Sequence, residues 1–338
     1  MSLPSQIITK NLTRHERVNN VLWVNPGRDS SWQDVANYCQ HIKLFCQDFG
    51  DFSYHQQSGA EATFGAFPEQ SQTFDWIILT LPRQKALLQM LLECAKGLLT
   101  PGGSLWLAGE NKAGIKSSDK LLKKHFGKVQ KLDNARHCTL FEATDASADK
   151  PFNSSDYLEV WQANPNGANL QVASYPGVFA HGRLDAGSAL LLETLVKQDI
   201  EGSVLDFGCG SGVIGATLAA LPQVDVTFLD TSALALYACE QTLSLNGLNG
   251  TLLPSDGLAS VETRFDLIIS NPPIHSGVKT DNHLSMQLLE NIEKHLQPGG
   301  RLVIVANRHL PYEKWLGEKF KQVGELSCNQ HFKVLNAG

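Results

Sequence analysis

At 338 residues, 42% of them hydrophobic and 18% charged, the chain has the composition of a folded globular protein and the length of two domains. A formal net charge of −6 excludes a generic polycationic coat for nucleic acid, no apolar run is long enough to span a bilayer, and a polar start predicts no signal peptide. Seven scattered cysteines without a CxxC pair exclude the usual zinc and redox motifs and fit free thiols in a reducing cytoplasm, so we expect no metal, no membrane and a cytoplasmic location.

The first strand is 21–24, Val-Leu-Trp-Val, and it runs into Asn25-Pro26-Gly27. A second apolar strand covers 73–79 and contains Phe74-Asp75. A helix pattern follows over 85–98, then the turn Pro101-Gly102-Gly103 and a strand over 104–107. Strands alternating with helices in this way predict a parallel α/β sheet. Beyond it lie Lys112, Lys116, Lys120, Lys123, Lys124, Lys128, Lys131 and Arg136, with only Asp119 and Asp133 among them. Residues 1–150 hold 17 Lys and Arg against 15 Asp and Glu, and the remainder 11 against 19. A basic stretch of this kind can follow a phosphate backbone. It can equally be a solvated face balanced by acids elsewhere.

Residues 145–156 are rich in Ser, Asp, Ala and Pro and have no apolar period, which marks a break. The expected domains are 1–145 and 158–338, with 146–157 as linker. The second half opens with strands over 157–160 and 170–172 and a helix over 187–197 carrying Leu190, Leu191, Leu195 and Val196 on one face. A core strand then runs into Asp206-Phe207-Gly208-Cys209-Gly210-Ser211-Gly212 and a helix over 213–219. Strand 226–229 ends in Asp230, and strand 251–253 is followed by Asp256. Strand 264–270, with Phe265-Asp266, leads into Asn271-Pro272-Pro273; a helix over 284–296, the turn Pro298-Gly299-Gly300 and a strand over 301–305 complete the pattern.

One pattern is thus written twice. The Phe-Asp pairs lie 191 residues apart (Phe74 to Phe265) and the Pro-Gly-Gly turns 197 (Pro101 to Pro298). The short insertion falls just after Asn271-Pro272-Pro273. Laid over one another, the copies put Trp23 where Asp206 stands, Asn25-Pro26 where Gly208-Cys209 stands, and Thr80-Leu81-Pro82 where Asn271-Pro272-Pro273 stands. We expect two tandem Rossmann-like α/β domains from duplication, the N-terminal copy keeping its packing and losing its site.

In an open parallel sheet, ligands bind beyond the carboxyl ends of the strands. Gly208, Gly210 and Gly212 occupy such a strand-to-helix turn. Glycine there permits positive φ and close approach of the backbone to a ligand, and the helix start adds free N–H groups. Gly210 to Gly215 formally spells GxGxxG, the dinucleotide pattern. Asp206 decides against it, because an anion there would face pyrophosphate. It suits an ammonium instead, as in the methionine moiety of S-adenosylmethionine. Asp230 is placed for two hydrogen bonds to ribose hydroxyls. Asp256 can accept from an adenine amino group, although Ser255-Asp256-Gly257 is also a plain turn signal. Asn271-Pro272-Pro273 then sits beside the methyl donor. An exocyclic amine is a poor nucleophile because its lone pair is delocalised. The Asn271 side-chain oxygen and the Pro272 backbone carbonyl can accept both amine hydrogens and aim the lone pair. The prolines keep that carbonyl rigid, and positioning and dipoles supply most of the rate gain.

These residues resemble the class I S-adenosylmethionine-dependent methyltransferases of the Asn-Pro-Pro type. With the duplicated architecture, Pro176-Gly177-Val178-Phe179, Leu184-Asp185, Gly187-Ser188 and Val305-Ala306-Asn307-Arg308-His309-Leu310-Pro311-Tyr312, the chain is similar to the bacterial family of guanine-N2 methyltransferases of small-subunit ribosomal RNA. The resemblance covers essentially the whole chain and is most specific over 175–312. It implies methyl transfer to guanine N2 of 16S rRNA in the small (30S) ribosomal subunit, and we expect a monomer. It places Asp206, Gly208 and Gly210 at the cofactor's methionine end, Asp230 at its ribose, and Asn271 and Pro272 at the guanine amine. Residues 179–188, Asp185 among them, would close over the cofactor. Pro273, Ile274 and His275 would meet the substrate. Ile274 departs from the family, which usually has a Phe there to stack on the flipped base; His275 is usual. Rival substrates are guanine N2 of 23S rRNA, an adenine amine and a glutamine amide, which Asn271 cannot separate. A non-catalytic RNA-binding assembly factor is the rival from another class, and the retained Asp206, Gly208, Gly210 and Asn271 weigh against it.

Overall fold

Near-continuous apolar runs are what a parallel strand buried on both faces requires, and the chain supplies them twice. The computed structural model describes residues 1–147, 151–164, 169–272 and 291–338. They gather into two units, Met1–Tyr157 and Leu158–Gly338. The first contains strands β1 (Val18–Val24), β2 (Cys39–Cys46), β3 (Ala62–Phe64), β4 (Phe74–Thr80), β5 (Leu99–Glu110), β6 (Phe126–Ala135) and β7 (Cys138–Ala146). They form one sheet in the order β3-β2-β1-β4-β5-β7-β6. The strands from β3 to β5 are parallel, and β7 and β6 are antiparallel additions.

The second unit opens with a two-stranded sheet, β8 (Glu159–Ala163) and β9 (Leu170–Ser174). It continues with β10 (Gly202–Phe207), β11 (Val224–Asp230), β12 (Thr251–Pro254), β13 (Phe265–Ser270), β14 (Leu296–Asn307), β15 (Val323–Cys328) and β16 (Phe332–Ala337). Their order is β12-β11-β10-β13-β14-β16-β15. Order and strand sense match the first sheet position for position, as duplication predicts. Alternation along the strands feeds both faces: Leu22, Val24, Ile77 and Leu79 join one core of the first unit, Val21, Trp23, Trp76 and Ile78 the other.

The repeated Phe-Asp pair now has a physical role. Phe74 and Phe265 are buried. Asp75 Oδ2 accepts from the backbone N–H of Asn19 (3.1 Å) and Asn20 (3.0 Å), and Asp266 Oδ2 from the N–H and hydroxyl of Ser203 (2.8 and 2.7 Å). Each carboxylate therefore ties the start of the neighbouring strand. Those hydrogen bonds hold both carboxyls below the ordinary value.

The Pro-Gly-Gly segments are not turns between helix and strand. Both lie inside long strands, β5 and β14. Pairing jumps from Phe74↔Leu99 to Trp76↔Ser104 and from Phe265↔Leu296 to Leu267↔Arg301, with Gly102 at φ 81° and Gly299 at φ 83° in the bulged portion. The first predicted helix is Lys85–Lys96. The second, over 284–296, falls mostly outside the described residues. At its end Ile292–His295 is a 3-10 turn and Leu296 already begins β14. Residues 151–157 differ from an extended linker. Phe152 packs on the first unit's core with its ring 5.3 Å from Phe67, and Tyr157 ends the 3-10 turn Ser154–Tyr157 instead of starting a strand.

Candidate active site

The strand order of the second sheet reverses between β10 and β13, and the crevice outside their carboxyl ends is the expected ligand position. A cavity of about 500 Å³ lies there, walled among others by Gly208, Gly210, Asp230, Asp256, Asn271 and Pro272. Residues spread over four strand ends in the sequence thus meet at one cavity of ligand size.

The glycine loop shapes its floor. Gly208 and Cys209 donate their N–H groups to Leu229 O (2.8 and 2.9 Å), which pins the loop to β11. Gly208 and Gly210 have φ of 74° and 55°. A Cβ on either would meet no atom within 4 Å. A side chain there would project into open space beside a cavity that these residues line, so the backbone forms a cradle that only glycine leaves clear.

Asp230 stands at the end of β11 on the cavity wall. Its Oδ2 accepts from Gly210 N (2.9 Å) and its Oδ1 from Ser232 N (2.8 Å). The carboxylate is braced by the same loop that floors the cavity. Asp256 follows β12 and also reaches the wall.

Asp206 is placed differently from the sequence expectation. It is 1% exposed and is not among the residues lining the cavity. Its Oδ2 accepts from Gly215 N (2.8 Å) in the helix Val213–Ala219, behind the loop. A Cβ on Gly215 would lie 2.7 Å from that oxygen, so the acid and the helix meet only because residue 215 is glycine. Burial pushes the Asp206 carboxyl up to about 7; the Gly215 N–H opposes this and the Asp230 charge adds to it. Between about pH 4, the ordinary carboxylate value, and about pH 7, the folded protein holds a proton that the unfolded chain has released. Stability therefore falls as pH rises through that window. Asp206→Asn keeps an acceptor for Gly215 and removes the titration. Its melting temperature relative to wild type is expected to climb from pH 5 to pH 8. A difference that stays constant across that range would show that Asp206 does not titrate there.

Asn271 follows β13 on the wall. Its Nδ2 donates to Asp185 Oδ2 (3.0 Å) and Ser188 Oγ (2.9 Å). Asp185 caps the helix Ala186–Leu195, its Oδ2 also accepting from Gly187 N (2.9 Å) and Ser188 N (3.1 Å). Ser270 Oγ donates to Phe207 O (2.7 Å) and locks β13 to β10 just below the site. Pro272 is buried on the same wall. Pro273, Ile274 and His275 lie outside the described residues.

Of the segment 179–188, Phe179 and Asp185 reach the cavity. Phe179 is 58% exposed and also borders a smaller pocket with Trp161, Arg183 and Asn271. Phe332 and Asn307 complete the wall from β16 and the end of β14. Asn307 lies in a motif already singled out, whereas nothing in the local sequence marks Phe332.

The first unit shows what fills the equivalent place. Register puts Trp23 opposite Ile78 as Asp206 is opposite Ile269. Trp23 is 1% exposed, and its indole N–H donates to Thr80 Oγ1 (3.2 Å). Asn25 takes the Gly208 position with φ 52° and exchanges hydrogen bonds with Gln47 (2.9 Å each). Arg28 forks to Asp48 (3.2 Å) and Asp51 (2.6 Å). Asn25 and Gln47, bonded to one another, stand at the position of the cavity-lining glycine loop, while Trp23 is buried as Asp206 is. All of the basic residues from Lys112 to Arg136 are exposed. Lys112, Lys123 and Lys128 pair with Glu110, Asp119 and Asp145 at 3.0, 2.8 and 3.3 Å. Among the described residues no cluster of His, Cys, Asp or Glu could hold a metal ion, and no helix is long and apolar enough to cross a membrane.

Residues 169–336 match the family model "Methyltransferase small domain", and residues 5–161 match "Methyltransferase small domain N-terminal". The chain is 37% identical to the ribosomal RNA small subunit methyltransferase C of Shewanella amazonensis, over 99% of this chain and 98% of that one. It is 39% identical to that of Pseudoalteromonas atlantica, again over 99% and 98%. Among solved structures, the T. thermophilus 16S rRNA N2 G1207 methyltransferase in complex with AdoMet and guanosine superposes with a TM-score of 0.86 at 25% identity, covering 98% of this chain and 91% of that one.

Proposed function

Because the chain belongs to the ribosomal RNA small subunit methyltransferase C family, we propose that it transfers a methyl group from S-adenosylmethionine to the exocyclic N2 amine of a guanine in 16S rRNA. The observation that carries this reading is Asn271 on the same cavity wall as Gly208, Gly210 and Asp230. The residues proposed to hold the methyl acceptor and those proposed to hold the cofactor line one crevice.

Bound S-adenosylmethionine supplies an electrophilic methyl on a sulfonium. The chain's residues do the rest. The Gly208 and Gly210 backbone cradles the methionine portion, Asp230 accepts from the ribose hydroxyls, and Asp256 accepts from the adenine amine. Asp206 acts on the loop from behind, through Gly215. Asn271 Oδ1 and the Pro272 carbonyl accept the two hydrogens of guanine N2. The nitrogen becomes acidic only once alkylated, so no strong base is needed before attack. Cytoplasmic location, a monomeric state, catalysis without a metal and action on 16S rRNA within the small subunit belong to the same proposal. The first unit, with Asn25 and Gln47 at the position of the glycine loop and its basic stretch exposed, serves to hold RNA and to support the second unit.

The test is transfer of labelled methyl from S-adenosylmethionine to small and large ribosomal subunits lacking the modification, offered side by side and followed by nucleoside analysis. N2-methylguanosine in 16S rRNA is expected. Label in 23S rRNA or in protein, or none, would overturn the reading. Calorimetry should find one cofactor site per chain. Asp230→Ala should weaken cofactor binding by about 1–3 kcal/mol, as for losing charge-assisted hydrogen bonds. Unchanged affinity would leave Asp230 as a brace for Gly210 and Ser232 only.

A further inference from the structure

We infer that Asp185 is a positioning residue for methyl transfer: together with Ser188 it fixes which end of the Asn271 amide faces the substrate. The inference rests on the guanine-amine reading above.

An asparagine side chain has two nearly isosteric ends of opposite polarity. To accept from a substrate NH₂, Asn271 must present Oδ1. Flipped, it would set one NH₂ against another with no acceptor between them. The two ends differ little in shape, so packing alone discriminates poorly and hydrogen-bond partners must decide.

Here they do. Asp185 Oδ2 lies 3.0 Å from Asn271 Nδ2, and Ser188 Oγ lies 2.9 Å from it. An ionised carboxylate only accepts. An amide oxygen turned toward it would face like partial charge, so only Nδ2 is stable on that side. Both Nδ2 hydrogens are then engaged, and Oδ1 is the end left for the cavity that Asn271 lines. The acceptor is itself fixed, because Gly187 N and Ser188 N donate to the same Asp185 oxygen at 2.9 and 3.1 Å. Space is tight as well: a Cβ on Gly187 would stand 3.0 Å from Asp185 Oδ2 and 3.5 Å from Asn271 Nδ2. The first turn of the helix Ala186–Leu195 thus orients an amide 83 to 86 residues further along the chain.

Asp185→Ala, Asp185→Asn and Ser188→Ala should be compared in wild-type and Asn271→Ala backgrounds. Asp185→Ala is expected to lower kcat about 10- to 100-fold, less than the roughly 10²- to 10³-fold loss of a whole preorganised group because Asn271 itself remains, with cofactor affinity unchanged. Asp185→Asn retains an oxygen that Gly187 and Ser188 can hold and Asn271 can donate to, so kcat should stay within about threefold. With Asn271 already replaced there is nothing to orient, and Asp185→Ala should cost less than about twofold. If Asp185→Ala leaves kcat at the wild-type value, or costs the same factor in both backgrounds, or if Asp185→Asn falls as far as Asp185→Ala, the orienting role is wrong. Should Asp185→Ala fail to fold, Ser188→Ala keeps the cap carboxylate and should lower kcat only when Asn271 is present. Exchange of the Asn271 side-chain N–H protons by NMR is independent of activity. Slow exchange in wild type and Asp185→Asn and fast exchange in Asp185→Ala is expected; equal exchange in all three would overturn the inference. A wild-type protein that methylates no guanine but shows the protected amide would sink the functional reading and leave the orientation standing.

Discussion

Asn271→Ala is expected to lower kcat by about 10²- to 10³-fold, the range for removing a preorganised hydrogen-bonding group from a reacting centre. Cofactor affinity should change little, because the Asn271 oxygen is proposed to meet the base and not the cofactor. The split matters. A residue that only shapes the cavity would change binding and turnover together, whereas one that acts on the developing charge of the nitrogen lowers kcat and kcat/KM in parallel. Asn271→Asp adds a control. It keeps an acceptor but puts a second carboxylate beside Asp185 Oδ2, now 3.0 Å from Nδ2, so it should not restore activity. Near wild-type turnover in Asn271→Ala would end the amine-holding mechanism.

How far the sequence reaches depends on the kind of feature. The sheets were legible because strands such as Val204-Leu205 and Ile268-Ile269 are buried on both faces and must read as apolar runs. Duplication was legible because Phe74-Asp75 and Phe265-Asp266 have to pin the same neighbouring strand start. The Pro-Gly-Gly segments misled because a tight turn and a bulge ask for the same left-handed glycine. Asp206 misled for a different reason. Position along the strand puts it at the crevice, but alternation decides the side. Leu205 and Phe207 join one core face, so Asp206 points the other way, toward Gly215. Period two could have predicted this. Phe332 could not have been predicted, since it reaches the cavity only through the antiparallel return of β16 onto β14. Nor could the Asp185–Asn271 contact, which no local pattern encodes.

Reversing Lys120, Lys123, Lys124 and Lys128 to Glu is expected to raise the KM for 16S rRNA or small subunits by about 100-fold or more at low salt and to flatten its salt dependence by roughly three log units per log unit of salt. Guanine N2 is hydrogen-bonded in a paired base, so the base must be flipped or already unpaired. Unstacking costs a few kcal/mol, and contacts remote from the pocket can offset that. The second unit is the acidic half of the chain, so we propose that those contacts come from the first. Lys120, Lys123 and Lys124 stand on the exposed side of the helix Ser118–His125, whose Leu121, Leu122 and His125 are buried, and Lys128 lies on the edge strand β6. Lys123 and Lys128 have acidic neighbours, Asp119 and Asp145. Such exposed pairs contribute little and yield to a phosphate. Melting temperature should move little, since the four side chains are exposed, and cofactor affinity should not change. A competing role for Lys128 is to keep β6 from pairing edge to edge with another chain. That role predicts aggregation of the reversed variant without a change in salt slope. If KM and salt slope both stay at wild-type values, the basic stretch is an ordinary solvated face, and the first unit supports folding alone.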